Sequence, residues 1–336
     1  MSIILWGPHV QLSFVATPMR YIRHPAFAAP ISRIGFGCAS LGSRVGAREG
    51  LAALDRAYEA SVTWYDTAPP FGDGSSETIL GQFIGRRRDK VQIVTKVGIV
   101  PARRNAALAL VKPIAQRIVA AVPSLRQTVS RVRPQATKVA LTGEFVRLSL
   151  RSSPTRLWTD YVDALALHEP TMQDIDRDDV IMALEEALDR GQASTIGIAG
   201  SSEIGSFARR RCPRIGLLQY ASDPFENAAN HASHEDGPIV VTNSVLVRLR
   251  ALSVALQNDA ETRVAVEQFG YSHDVRVIAP ELLVDLALRT NRDGIVLLSM
   301  FDAGHLAANA SRVELDLEPR AIELLRYVFT SIKSMN

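Results

Sequence analysis

The sequence contains few cysteines, few aromatic residues and no long apolar run. Only Cys38 and Cys212 occur among 336 residues, too few for a disulfide framework, which favours a reducing, cytoplasmic setting. No run of about eighteen apolar residues is present that could cross a bilayer. Residues 1–18 lack the basic start and the small-residue cleavage site of a signal peptide. We therefore expect a cytoplasmic protein with no membrane partner.

The glycine-rich fingerprint of a dinucleotide-binding open sheet, Gly-x-Gly-x-x-Gly after the first strand, is also missing. The pair Gly72 and Gly74 follows the second predicted strand and has no third glycine. This absence argues against a doubly wound open sheet with a Rossmann site, although that architecture remains the alternative.

Hydrophobic residues make up 47% of the chain and fall into eight strand-like runs, nearly all separated by helical patterns. Such alternation requires right-handed crossovers and a parallel sheet, and eight units that close on themselves form a (β/α)8 TIM barrel. The predicted strands are residues 33–37, 62–66, 91–97, 161–167, 194–199, 215–219, 239–242 and 294–298. The predicted helices cover about 50–60, 75–83, 145–157, 180–190, 203–209, 260–268, 280–289 and 319–332.

A long basic insertion, residues 99–144, interrupts this alternation after the third predicted strand. Residues 101–156 carry eleven Arg or Lys and a single acid, Glu144. We expect the insertion on the active-site face, either as a lid that attracts an anionic substrate or cofactor phosphates, or as a solvated decoration or oligomer contact. Because it has almost no aromatic residues for stacking, nucleic-acid binding is not expected. The predicted organisation is an N-terminal extension, 1–18, and one barrel domain, 19–336, that includes the insertion.

Three polar residues lie at the ends of predicted strands: Asp66, Lys96 and His168. Singly, such residues are usually a turn cap, a solvated lysine and a core histidine. Catalytic groups of (β/α)8 barrels come from the carboxyl ends of their strands, so the three together predict a site.

The stretch from Tyr65 to Glu77, Tyr-Asp-Thr-Ala-Pro-Pro-Phe-Gly-Asp-Gly-Ser-Ser-Glu, resembles the signature of the aldo-keto reductases. Ile93 to Gly98 resembles the strand that carries the family's active-site lysine, and Leu165 to Pro170 resembles its histidine strand. Met19 to Gly37 is similar to the family's opening hairpin and first strand. The resemblance covers about residues 19–315, and it implies a TIM barrel of the aldo-keto reductase type.

The resemblance also implies an NAD(P)(H)-dependent oxidoreductase that acts on a small carbonyl or hydroxyl compound. In the family a tyrosine donates the proton, a lysine lowers the pKa of that tyrosine, an aspartate pairs with the lysine, and a histidine orients the substrate. Asp66, Lys96 and His168 match this pattern, whereas Phe71 stands at the tyrosine position. Loss of a general acid costs on the order of 10²- to 10⁴-fold in rate.

Another group would then have to supply the proton. Tyr65 points away from Asp66 in a strand, so His168, with a pKa near neutrality, is the better candidate, and Lys96 is a further one if burial lowers its pKa. The alternatives are a lyase or isomerase that uses Lys96 and His168, a cofactor-binding protein with little catalysis, and a laboratory Tyr-to-Phe substitution.

Further positions resemble the family's cofactor contacts. Gly197 to Ser202 is similar to its Gly-Val-Ser-Asn segment, Asn243 to Leu246 to its Ser-Pro-Leu pyrophosphate loop, and His305 stands where the family has a phosphate-binding arginine. The implied cofactor is NADP or NAD, and His305 weakens the preference for NADP. The implied cofactor-binding residues are Asp66, Ser201, Ser202, Gln219, Ser244, Leu246, Ser299, His305 and Asn309.

No metal site is predicted. His231 and His234 lie beside Glu235 and Asp236, but further clustered ligands are not evident. The oligomeric state and the substrate are not specified by the sequence.

Overall fold

A computed structural model describes residues 19–102, 136–222, 237–268 and 271–313 of the protein. Eight parallel strands close into a barrel in the order β3-β4-β5-β8-β9-β10-β11-β12, and the last strand pairs with the first. These strands are β3 (Ile34–Gly37), β4 (Trp64–Asp66), β5 (Gln92–Val97), β8 (Val162–His168), β9 (Ala193–Ala199), β10 (Ile215–Ala221), β11 (Ile239–Asn243) and β12 (Ile295–Leu298). The predicted TIM barrel is confirmed.

Helices surround the barrel and bury their apolar faces against the outward-facing residues of the strands. The helices are α1 (Ala47–Glu59), α2 (Phe71–Gly74), α3 (Ser76–Ile84), α4 (Gly143–Leu157), α5 (Met172–Asp176), α6 (Asp178–Asp189), α7 (Ser202–Arg211), α8 (Leu249–Asn258), α9 (Ala260–Glu267), α10 (Val275–Thr290) and α11 (Ala303–Val313), with a short 3-10 helix at Gly85–Lys90. In the described part of the chain, no helix is long and apolar enough to cross a membrane.

A second cluster fills the interior of the barrel. Trp64 is its largest side chain and is fully buried. It fits because β3 contributes Gly35 beside it: a Cβ at Gly35 would lie 2.7 Å from Trp64 Cδ1 and 2.6 Å from Leu297 Cδ2. Since side chains alternate along a strand, the residue two positions after Trp64, Asp66, also points inward, but at the carboxyl end of the barrel.

An N-terminal hairpin covers the other end of the barrel. Its strands, β1 (Tyr21–Ile22) and β2 (Ile31–Ser32), pair antiparallel. Phe27, in the connecting loop, packs edge-on against Trp64 with ring centroids 5.5 Å apart. The opening hairpin expected from the sequence is therefore present, and the amino end of the barrel is closed by apolar side chains.

The base of the basic insertion is a two-stranded ribbon. It consists of β6 (Ile99–Val100), which follows β5 directly, and β7 (Thr137–Lys138), and the two strands pair antiparallel. The ribbon thus leaves the carboxyl end of the barrel, as expected for a segment that follows the third strand. The helical patterns predicted within the insertion, the extension 1–18 and the helix predicted at 319–332 lie outside the described residues.

Candidate active site

Asp66 and Lys96 form a buried ion pair at the carboxyl end of the barrel. Asp66 ends β4, Lys96 lies near the end of the neighbouring strand β5, and both point inward. Lys96 Nζ donates to Asp66 Oδ1 at 2.6 Å, to Asp66 Oδ2 at 2.7 Å and to the Thr67 carbonyl at 3.0 Å. An ammonium has three N–H groups, so all three are used.

Gln219 on β10 also interacts with Asp66. Burial raises the pKa of the Asp66 carboxyl, and both the Lys96 ammonium and a hydrogen bond from the Gln219 side chain oppose that rise. A carboxylate only accepts hydrogen bonds, so the amide NH2 of Gln219 must face Asp66. The amide oxygen, Oε1, is then turned away, and it is buried without a hydrogen-bond partner among the residues described.

Phe71 lies against both Lys96 and His168. Its ring meets the imidazole of His168 edge-on, with centroids 5.9 Å apart, and Lys96 Nζ lies 5.0 Å from the centroid of the phenyl ring. The structure therefore brings together all four residues that the sequence analysis put forward as catalytic: Asp66, Lys96, Phe71 and His168.

A left-handed turn fixes the position of Phe71. Gly72 has φ +60°, and a Cβ there would lie 1.7 Å from the carbonyl oxygen of Leu41, so only glycine fits this close approach. Phe71 N donates to Ala68 O at 3.1 Å and Gly72 N donates to Ala39 O at 3.2 Å. The turn is thus tied to the loop that follows β3.

His168, the last residue of β8, is only partly exposed. Burial, the Lys96 ammonium and the Lys138 ammonium together lower the pKa of His168 to about 3. Its Nδ1 is buried and has no hydrogen-bond partner in the described ranges. The expectation that His168 titrates near neutrality is therefore wrong, because two cations and a low-polarity environment disfavour the imidazolium.

Tyr65, by contrast, faces away from the site, as the alternation along β4 predicts. Its ring packs between Phe36 and Phe83, with centroids 6.1 and 5.0 Å away, and its hydroxyl donates to Val62 O at 3.1 Å. Burial raises its pKa well above the usual range. Tyr65 therefore has no route to the inner face of the barrel.

Four of the predicted cofactor residues lie in the segments that directly follow β9 and β11. Ser201 caps α7 by accepting from Ile204 N at 3.3 Å, and Ser202 begins that helix. Ser244 has φ +57°, and its hydroxyl donates to Asn243 Oδ1 at 3.0 Å. The side chain of Leu246 is 42% exposed. All four are surface groups at the rim of the barrel, in contrast to the buried Gln219.

The remaining predicted cofactor residues follow β12. Ser299 and His305 line a cavity of about 480 Å³, to which α1 contributes Glu49 and Arg56. Asn309 lies one turn further along α11 and is partly buried. Glu49 and Arg56 were not predicted from the sequence, because no local pattern indicates that α1 lies beside a loop about 250 positions later in the chain.

A second buried carboxylate, Glu77, supports the lysine strand from outside. It accepts from Thr95 Oγ1 at 2.6 Å and from Arg156 Nε at 2.6 Å. Glu77 lies in the first turn of α3, as predicted from the sequence. Its link to β5 could not be predicted, since Arg156 is 79 positions away.

A metal site is absent from the residues described, where no group of three or more His, Cys, Asp or Glu side chains could hold a metal ion. His231 and His234 lie outside these residues.

Comparison with known proteins agrees with this geometry. The model of the Aldo/keto reductase family matches residues 33–212, more than half of the chain. The D-threo-aldose 1-dehydrogenase of a Pseudomonas species is 32% identical over 188 residues, which cover 52% of this chain and 52% of that protein. The chain spans about half the length of the curated relatives it matches.

Two solved structures share the fold. The glycerol dehydrogenase of Gluconobacter oxydans has a TM-score of 0.69 and 17% identity, with 93% of this chain and 95% of that chain covered. An aldo-keto reductase from Klebsiella pneumoniae, solved in complex with NADPH, has a TM-score of 0.67 and 17% identity, with 93% and 96% covered. The chain belongs to the aldo/keto reductase family of oxidoreductases.

Proposed function

We propose that this protein is a nicotinamide-dependent oxidoreductase that interconverts a small carbonyl compound and its alcohol, with an altered source of the proton. The observation that supports this most strongly is the Asp66–Lys96 ion pair beside Phe71 and His168. We further propose that residues 19–336 form one barrel domain that carries the insertion.

The residues present fit a nicotinamide. Gln219 Oε1 is a buried acceptor with no partner in the described part of the chain, and the NH2 of a carboxamide would satisfy it. Asp66 fixes the orientation of this amide through the hydrogen bond from Gln219. A bound nicotinamide would supply or accept the hydride. Around it, Ser201, Ser202, Ser244, Leu246, Ser299, His305 and Asn309 are the proposed contacts.

The chain's own residues would then hold the substrate more easily than they would protonate it. Phe71 has no acidic proton, and each N–H of Lys96 already has an acceptor. Since its pKa is about 3, His168 is a neutral imidazole at pH 7, which polarises a carbonyl through an N–H without releasing a proton readily. We therefore propose that His168 positions the carbonyl oxygen, that solvent water supplies the proton to the oxygen as the hydride arrives at the carbon, and that turnover is slow for that reason.

A binding protein that retains the dinucleotide but has little catalysis is the second candidate. The saturated Lys96 and the depressed pKa of His168 favour it, because neither group is matched to proton transfer near pH 7. The same two observations give less support to a lyase or isomerase, which needs a free amine or a stronger base at these positions.

For the substrate, we propose a small hydroxylated carbonyl compound. The name of the Pseudomonas relative, D-threo-aldose 1-dehydrogenase, makes sugars the first class to test. Lys138, at the exposed base of the insertion, lies close enough to lower the pKa of His168. It would also attract an anionic group on the substrate.

The test combines cofactor titration with Phe71→Tyr. We expect NADH or NADPH to bind, seen as a change in dinucleotide fluorescence, and we expect Phe71→Tyr to raise the rate of reduction of a small aldehyde at least about tenfold. The physical reason is that a phenol would enter beside Lys96 and supply the missing acid. Phe207→Tyr, which adds the same hydroxyl to a partly buried ring on α7, is the matched control.

Two results would contradict the proposal. If neither dinucleotide binds, the protein is not a nicotinamide-dependent oxidoreductase. If one binds and Phe71→Tyr reduces aldehydes no faster than the unaltered protein, the proton already comes from another group and the deficiency assigned to Phe71 is wrong.

A further inference from the structure

The site at the carboxyl end of the barrel is poorly equipped to protonate an oxygen. Phe71 has no acidic proton, and the three N–H groups of Lys96 are taken up by Asp66 and by the Thr67 carbonyl. Cys38 follows β3 and is fully buried, and burial raises the pKa of its thiol. Hydride addition to a simple carbonyl carbon places the whole negative charge on one oxygen, so that reaction needs an acid that these side chains do not supply.

The imidazole of His168 is suited to hold a negative oxygen without protonating it. Its Nδ1 is buried, so Nε2 is the ring nitrogen that a substrate can meet. With a pKa of about 3, the ring is neutral at pH 7 and has one N–H to donate. A neutral imidazole of this kind polarises a carbonyl and stabilises charge on its oxygen, but it is a weak acid.

Two cations lie near this imidazole. Lys96 is on the neighbouring strand, and Lys138 is on β7 at the base of the insertion. Val139 N donates to Gly98 O at 2.9 Å, and a Cβ at Gly98 would lie 2.9 Å from His168 O, so the ribbon packs against the strand end that carries His168. Both lysines disfavour a further positive charge on His168. The same positive potential favours an oxyanion at this position.

Reduction of an α,β-unsaturated carbonyl compound needs an oxyanion site but no acid beside the oxygen. When a hydride adds to the β carbon, the C=C π pair moves into the bond between the α carbon and the carbonyl carbon, and the C=O π pair moves onto the oxygen. The resulting enolate shares its charge between the oxygen and the α carbon, so it is a weaker base than an alkoxide. Hydrogen-bond donors and cations stabilise it, and water then protonates the α carbon.

We propose that this protein reduces the C=C bond of small α,β-unsaturated aldehydes and ketones. His168 donates to the enolate oxygen, and Lys138 stabilises it through its charge. Phe71 determines which bond is reduced, because the absence of an acid at this position slows reduction of the C=O bond.

The inference rests on the proposed nicotinamide-dependent function, since the reductant is the reduced dinucleotide. In each turnover the C=C bond gains a hydride at the β carbon and a proton at the α carbon. The dinucleotide is oxidised, and the water that gives the proton leaves as hydroxide.

The experiment compares cyclohexenone with cyclohexanone, two ketones that differ only in the conjugated C=C bond. The full chain is supplied with each ketone and with NADH or NADPH, and the products are identified by gas chromatography and mass spectrometry. We expect cyclohexenone to yield cyclohexanone at least about tenfold faster than cyclohexanone yields cyclohexanol. In heavy water, the product should carry deuterium at the α carbon.

Phe71→Tyr should change which bond is reduced. A phenol beside Lys96 can protonate the oxygen, so reduction of cyclohexanone should become at least about tenfold faster and cyclohexenol should appear among the products of cyclohexenone. The matched control is Phe207→Tyr, which adds the same hydroxyl to a partly buried ring on α7. It should leave the ratio of the two rates unchanged.

A binding measurement tests the oxyanion site without turnover. The anion of para-nitrophenol shares its charge between the oxygen and ring carbons, as an enolate does, and it absorbs at a different wavelength from the neutral form. We expect the ionisation constant of the protein-bound phenol to be at least about tenfold larger than that of the free phenol. Lys138→Gln should reduce this increase, whereas Lys90→Gln, at an exposed lysine before β5, should not.

The outcomes separate the inference from the function on which it rests. Binding of neither dinucleotide would overturn the proposed function, and the inference with it. If a dinucleotide binds but cyclohexenone is not reduced, or gives only cyclohexenol, the inference is wrong and the oxidoreductase function stands. A bound para-nitrophenol that is no more ionised than the free phenol would contradict the role given to His168 and Lys138.

Discussion

Two successive residues of β5 take part in two different buried clusters. Thr95 faces the helices and donates to Glu77, whose other oxygen accepts from Arg156. Lys96 faces the barrel interior and donates to Asp66. Both clusters bury a carboxylate side chain that is at most 5% exposed beside a cation. Buried charge alone therefore does not distinguish a site of chemistry from a structural support.

The difference lies in the polar atoms around each pair. Each oxygen of Glu77 has a donor, and Arg156 Nη2 also donates to Ser153 Oγ at 3.1 Å. Around Asp66 and Lys96, two buried atoms have no partner in the described part of the chain: Gln219 Oε1 and His168 Nδ1. Unpaired buried polar atoms cost free energy, and a ligand that hydrogen-bonds to these two atoms would recover part of that cost.

The largest expected effect on stability comes from breaking the Asp66–Lys96 ion pair, which faces the barrel interior. Lys96→Met leaves Asp66 buried without a cation, so the free energy of unfolding should fall by about 3–5 kcal/mol, measured by urea denaturation. The double variant Asp66→Leu with Lys96→Met removes both charges and should recover most of this loss. If the double variant is as unstable as the single one, the charge pair is not the cause.

A smaller loss of stability is expected from weakening the Glu77–Arg156 ion pair, which lies on the helix side of β5. Glu77→Gln keeps the shape but removes the charge, and it should lower the free energy of unfolding by about 1.5–3 kcal/mol, because two charge-assisted hydrogen bonds become weaker. Dinucleotide affinity should stay within about twofold of the unaltered protein. A large loss of dinucleotide affinity in a variant of unchanged stability would mean that Glu77 acts on the site directly. The Glu77 cluster would then not be purely structural.

The smallest expected effect is a pH dependence of the free energy of unfolding that comes from His168. Its pKa is about 3 in the folded protein and about 6.5 when unfolded. Above pH 6.5 both states are neutral and stability is unaffected; as the pH falls from 6.5 towards 3, the unfolded state takes up the proton first, so stability is lost. Between pH 7 and pH 5 this loss should be about 1–2 kcal/mol.

Comparison of the unaltered protein with His168→Gln isolates the contribution of His168 to the pH dependence of stability. The glutamine variant should show a shallower fall in stability over the same range, measured by urea denaturation at each pH. Parallel pH profiles would mean that His168 is more solvated in solution than its contacts in the barrel indicate.

Much of the fold could be predicted because barrel strands are short apolar runs between helical patterns. The run at 91–97 differs from β5 by one residue, and the run at 194–199 differs from β9 by one residue. Helices α8 and α11 were not predicted, and α10 begins at Val275 instead of 280. Mixed sequences such as Leu249–Asn258 acquire their helical state partly from packing, which local patterns do not report.

The candidate site was predictable where strand ends define it and unpredictable where distant packing does. Asp66, Lys96 and His168 could be placed at one end of the barrel because parallel strands end at the same edge. The hydrogen bond between Gln219 and Asp66, the depressed pKa of His168 and the position of Arg56 beside Phe301 depend on contacts between residues that are far apart in the sequence. No local pattern carries that information.

The left-handed turn at Gly72 has a consequence for substitutions at position 71. Because the turn is fixed by the backbone of Leu41 and not by the ring of Phe71, a tyrosine at position 71 would be held by the same backbone contacts. Phenylalanine and tyrosine codons differ by a single base. The hydroxyl that the family resemblance implies at this position is therefore one point mutation away from this sequence.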